Sequence, residues 1–234
     1  MHRFFLNDLT APVLTGSEAH HARQVLRLRE GDEVTLFDGA GNFARCQIAA
    51  ISRDAVALRA VERGQTPPLP CRITLACAVI KKNMDFIVQK ATELGVATIV
   101  PLLTERTIAR PDKSDRWADI ALVACKQCGN NWLPEIATPV SLTKWLATKQ
   151  MADLKVVAAL TPDAQPLRNV LLPSQSACVL IGPEGDFTSA EYAAARAAGF
   201  RPVTLGPLVL RADTAALYAL SIVHHELVTH RGVC

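Results

Sequence analysis

The rhythm of apolar and polar positions changes near residue 70. Before it, short β-prone runs are broken by turn signals: RFFL opens the chain, SEAHHARQVL has helical spacing, and EVTLFDGAGNFARCQIAAISRDAVALRAV divides at DGAGN and SRD. RGQTPPLP, residues 63–70, carries three prolines and a glycine and predicts an extended linker. Beyond it, apolar runs alternate with helical patterns: RITLACAVI, MDFIVQKATELG, VATIVPLL and SDRWADIALVACKQC, then LKVVAAL, ACVLIG, TSAEYAAARAAG, PVTLG and DTAALYALSIVHHELVTH. The pattern predicts a small β-rich domain over residues 1–70 and an α/β domain with a mostly parallel sheet over residues 71–234.

Several strands of the second domain end in candidate ligand loops, ALTPDAQP, GPEGD and LGPLVLRADTA. LIGPEGDF reads as a buried strand that stops abruptly in a glycine-rich loop. Thr188 and Glu191, three apart, then form the capping-box signature of a helix start. A loop at the carboxyl end of a parallel strand is where open α/β sheets bind ligands. Neither GxGxxG nor GxxxxGK[ST] occurs, which disfavours a dinucleotide dehydrogenase and a P-loop nucleotidase.

Composition narrows the class further. The 234 residues are 50% hydrophobic, no apolar run reaches the roughly 20 residues of a membrane span, and the N-terminus lacks a secretory apolar core. A soluble, cytoplasmic protein is expected. Seven cysteines include a single CxxC, Cys125 and Cys128, with no second pair at zinc-ribbon spacing, so no metal site is expected. The net charge of +3 does not by itself announce a nucleic-acid binder, but residues 1–70 hold eight arginines and no lysine. Arg23, Arg27 and Arg29 lie close together there, as an RNA-facing patch or a solvated helix face.

VLRLREGDEVTLFDG, MDFIVQKATELGV, IGPEGDFTSAE and LGPLVLRADTA occur in an order and spacing that resembles the ribosomal RNA small subunit methyltransferase E family, the 16S rRNA uridine-N3 methyltransferases. The resemblance runs from about His20 to His225. It implies a PUA-like β-barrel followed by a SPOUT methyltransferase domain with a C-terminal trefoil knot, a homodimer, and the small ribosomal subunit as partner. S-adenosylmethionine is the implied cofactor. By this carry-over it would lie against Leu160, Thr161, Leu180, Ile181, Gly182, Pro183, Glu184, Gly185, Leu205, Gly206, Pro207 and Leu210. The glycines would let the backbone approach the ligand.

Arg211, Asp213 and Glu184 are the implied catalytic groups, Arg211 for developing negative charge and either carboxylate for the proton. Asp213 alternatively caps the helix behind it. Arg23, Arg27, Arg29 and Arg106 are the RNA candidates, with Lys81, Lys82, Lys90, Arg110 and Lys113 as further basic positions. The chain departs from the family pattern at Asp186 (usually glycine), Leu208 and Asn130 (usually arginine) and Asp213 (usually glutamate). These departures leave a second reading open, an RNA-binding or ribosome-assembly protein that has lost the chemistry, beside a knotted methyltransferase of another RNA.

Overall fold

The structure, a computed structural model, describes residues 2–108, 113–148 and 152–229, so Arg110 lies outside the described residues. The chain divides into two compact units, Met1–Pro68 with Leu122–Leu133, and Leu69–Ala121 with Pro134–Cys234. The stretch 122–133, which a linear boundary at residue 70 assigns to the second domain, thus belongs with the first.

The first unit holds β1 (His2–Phe5), β2 (Val13–Thr15), α1 (Gly16–His20), β3 (Glu33–Phe37), β4 (Asn42–Ile51) and β5 (Ala55–Gln65). The strands form one sheet in the order β1-β3-β4-β5-β2, with β1 parallel to β3 and the other pairings antiparallel. Alternation along the strands turns Phe4, Leu14, Val34, Leu36, Ile48 and Val56 into a shared core. Helix α1 widens into a π-helical turn over His21–Val25 and stops at Arg27, whose φ of 54° is left-handed. β5 continues to Gln65, so the RGQTPPLP segment begins as strand and the linker is shorter than its prolines suggest.

The second unit contains β6 (Arg72–Ala78), α2 (Met84–Glu93), β7 (Thr98–Leu103), the start of α3 (Ser114–Cys128), β8 (Glu135–Ile136), β9 (Val140–Ser141) and α4 (Leu142–Ala147). β10 (Leu154–Ala158), β11 (Gln165–Pro166), α5 (Leu167–Val170), β12 (Ser176–Ile181), α6 (Ser189–Ala197), β13 (Arg201–Thr204) and α7 (Ala212–His224) follow. The sheet order is β11-β13-β10-β12-β6-β7-β8, with β9 also on β7, and all these pairings are parallel. β12 is buried from Ala177 to Ile181, as expected of a strand covered on both faces. The helix α6 starts where the capping box places it: the Thr188 hydroxyl accepts from the Glu191 N–H, and the Glu191 carboxylate accepts from the Thr188 N–H at 2.9 Å. At α7 the cap is Arg211, and Asp213 lies inside the first turn, which corrects the expectation that Asp213 caps this helix.

Candidate functional site

β13, β10 and β12 are neighbours and run parallel, so their carboxyl ends and the loops behind them open on one edge of the sheet. The chain leaves a cleft of about 350 Å³ there. The β10 end contributes Ala158, Ala159 and Leu160; the β12 loop contributes Ile181, Gly182, Pro183, Glu184 and Asp186. The β13 loop contributes Leu205, Gly206, Leu208, Val209, Leu210 and Arg211, and the first turn of α7 adds Ala212 and Ala215.

Thr161, Leu180, Gly185, Pro207 and Asp213, singled out in the sequence, do not line this cleft. Leu180 is fully buried in the sheet core with Val157 and Leu102. The Thr161 hydroxyl accepts from Arg196, which is held by Asp163 at 2.8 Å. The Gly185 carbonyl accepts from Arg106 Nη1 at 2.6 Å, so Arg106 pins the GPEG loop.

The two glycines of the cleft have different physical reasons. Gly206 has φ of 129°, a conformation side chains disfavour, and an added Cβ would meet nothing within 4 Å. A Cβ on Gly182 would lie 3.2 Å from the Phe187 ring, so that glycine makes room for the protein's own core. Asp186, with φ of 62°, occupies a backbone conformation natural to glycine and tolerated by aspartate. Its Oδ1 accepts from the Tyr192 hydroxyl at 2.7 Å and the Phe187 N–H at 2.8 Å. Burial first, then this carboxylate, holds the Tyr192 phenol well above its ordinary range.

The β6–α2 loop ties the site together, a role not foreseen from its sequence. The Lys81 N–H donates to Glu184 Oε1 at 3.0 Å, and Asn83 Nδ2 donates to Asp213 Oδ2 at 2.7 Å. Asp213 Oδ1 accepts from the Thr214 N–H at 2.9 Å and stands 3.9 Å from Arg211 Nε. The Asn83 bond foremost, with the Thr214 N–H and Arg211, holds the Asp213 carboxyl below the usual aspartate range. Arg211 itself is 74% exposed. Cys77, beneath these carboxylates, is a buried thiol pushed up to about 12 by desolvation, then by Glu184 and Asp213, and is therefore no nucleophile at neutral pH.

The remaining arginine candidates lie in the first unit. Arg23 donates to the Arg53 carbonyl, whereas Arg27 and Arg29 are exposed. Among the described residues, no group of three or more His, Cys, Asp or Glu is arranged to hold a metal ion, and no helix is long and apolar enough to cross a membrane.

A family model described as an RNA methyltransferase domain matches residues 67–224, and one described as an RNA methyltransferase PUA domain matches residues 14–61. The chain is 35% identical to ribosomal RNA small subunit methyltransferase E of Synechocystis sp., over 89% of this chain and 71% of that protein. It is 31% identical to the Bacillus subtilis protein of the same name, over 99% of both. Among solved structures it resembles the ribosomal RNA small subunit methyltransferase E of Neisseria gonorrhoeae bound to S-adenosyl methionine, with TM-score 0.89 and 30% identity, covering 97% of this chain and 98% of that one. A Legionella pneumophila protein in complex with the bound cofactor SAM gives TM-score 0.87 at 32% identity, covering 94% and 96%.

Proposed function

The chain belongs to the ribosomal RNA small subunit methyltransferase E family, and from that membership we propose that it methylates N3 of a uridine in 16S rRNA of the small ribosomal subunit, using S-adenosylmethionine. The convergence of three neighbouring loops on one cleft, with Arg211 and Glu184 on its wall, carries this reading.

The cleft's residues suit the cofactor. Leu160, Ile181, Leu205 and Leu210 offer apolar walls for a planar base, and the space beside Gly206 is open. Its volume of about 350 Å³ lies in the range of small-molecule sites. The cofactor supplies an electrophilic sulfonium methyl group; the chain's residues must place uridine N3 in line with it and accept the N3 proton. Glu184 lines the cleft and is the carboxylate positioned to accept that proton. Asp213 lies off the cleft wall and accepts from Asn83, so it acts as a support for the start of α7. The exposed guanidinium of Arg211 is placed to offset charge developing on the uracil.

The same membership supports a C-terminal trefoil knot, a homodimer, and action on the small subunit in the cytoplasm. The sequence-derived boundary near residue 70 remains our division between RNA-docking and catalytic parts, with 122–133 joined to the former. Arg27 and Arg29 are the RNA-facing side chains we favour there, because both are exposed. Replacing Arg27 by alanine should flatten the salt dependence of RNA binding by about one counterion and leave cofactor affinity intact.

Calorimetric titration with S-adenosylmethionine, followed by nucleoside mass spectrometry of treated small subunits, tests the proposal. Cofactor binding with formation of 3-methyluridine is the expected result. Cofactor binding with a different methylated nucleoside would overturn the assigned position, and absent binding would leave an RNA-binding protein without the chemistry.

A further inference from the structure

The first unit has its own cavity of about 370 Å³, lined by Arg3, Thr35, Phe43, Arg45, Thr66 and Asn131. The proposed methyl transfer uses none of these residues. Each is neutral or cationic, so the wall offers guanidinium, hydroxyl, amide and aromatic groups but no carboxylate.

The side chains are held in place. The Arg3 guanidinium lies 5.1 Å from the Phe37 ring centroid, and Nη2 donates to Asn131 Oδ1. The Asn131 amide is fixed from its other end, because Nδ2 donates to Thr66 Oγ1 at 2.8 Å. Arg3 Nε is buried and has no hydrogen-bond partner among the described residues. Phe43 pairs across the strands with Gly64, and a Cβ at 64 would stand 2.5 Å from Phe43 Cζ. The ring therefore rests on the glycine as a supported platform. Arg45, 60% exposed, meets Glu62 at 3.1 Å, an exposed pair that leaves the guanidinium available.

Two guanidiniums without an acidic wall residue call for an anion. A supported aromatic face calls for a flat ring, and hydroxyl and amide groups suit a polar ring edge. A nucleotide combines all three, and the volume suits one nucleotide better than a strand. RNA single strands are recognised by bases splayed onto aromatic side chains. Resting on the RNA-methyltransferase reading above, we propose that this cavity holds one unstacked ribonucleotide of the RNA substrate, its base against Phe43 and its phosphate on Arg3 and Arg45.

The test uses the full chain, a labelled single-stranded oligouridylate, and the variants Arg45→Gln and Phe43→Leu, each checked by thermal melting. Arg45→Gln should weaken oligonucleotide binding severalfold and flatten its salt slope by about one. Phe43→Leu should weaken it by about tenfold with the slope unchanged. S-adenosylmethionine affinity should stay parental in both. Two folded variants with parental affinity and slope would overturn the proposal. Uridine monophosphate or inorganic phosphate binding as tightly as the oligonucleotide, and losing affinity in the same variants, would assign the cavity to a free metabolite instead. A parent that binds no S-adenosylmethionine would remove the enzymatic reading, whereas the oligonucleotide arms would still decide the cavity.

Discussion

The cleft of the second unit and the cavity of the first are similar in volume, about 350 and 370 Å³, but are built on opposite plans. The cleft wall is drawn from three local segments at strand ends, within 158–160, 181–186 and 205–215, and much of it is alanine, glycine and leucine. Such a wall shapes space through its backbone. The cavity wall takes Arg3, Thr35, Phe43, Arg45, Thr66 and Asn131 from distant parts of the chain, and its chemistry lies in side chains. A backbone-built site should be sensitive to what adds bulk or strain. A side-chain-built site should be sensitive to what removes a functional group.

The sharpest challenge to this contrast is Arg211, an exposed cation on a backbone-built cleft. If it offsets charge on the uracil, Arg211→Lys should keep cofactor affinity yet lose turnover by on the order of a hundredfold to a thousandfold, because lysine keeps the charge without the planar fork. Single-turnover methylation of small subunits measures this beside thermal unfolding. A lower melting temperature with parental turnover would instead make Arg211 a partner of Asp213 that holds the start of α7.

Gly182 tests the backbone side of the comparison. The Phe187 ring is 3.2 Å from where its Cβ would stand, and Phe187 is packed in the sheet core with Tyr192. Gly182→Val should therefore overpack the core and cost about 1–3 kcal/mol of stability, readable by denaturant unfolding. Unchanged stability with lost cofactor binding would return this glycine to direct ligand contact, as the sequence alone suggests.

The contacts around Gly182 show what the sequence makes legible. Periodicity predicts α3 over SDRWADIALVACKQC, and the helix is Ser114–Cys128; the Thr188 and Glu191 capping box is formed. These signals are local. The loop motifs locate the cleft because its wall comes from short local segments, but they do not tell which residues of a motif line it: Leu180 turns to the core and Gly185 to Arg106. Asp186 in a family glycine position does carry a readable signal, since its φ of 62° is what a glycine there supplies. The bond from Asn83 to Asp213 joins residues 130 apart, and Arg3 to Asn131 joins residues 128 apart. Periodicity has no means of pairing residues at such separations.

The Asn83 bond gives the smallest expected effect and shows that the cleft's backbone plan still rests on a side-chain staple. Asn83 has φ of 69°, so Asn83→Gly keeps the backbone conformation while deleting the amide that donates to Asp213 at 2.7 Å. The bond holds the folded Asp213 carboxyl below its ordinary value, so it adds stability above the usual aspartate range. As the pH falls through the folded value, the carboxylate protonates and that addition is lost. The variant should be less stable than the parent by about 1 kcal/mol at neutral pH. The gap should narrow in acid, where the parent loses the same interaction. Chemical denaturation across a pH series reads the gap directly, and a constant difference from neutral pH into acid would mean that Asn83 acts through the backbone of its loop and not through the Asp213 carboxylate.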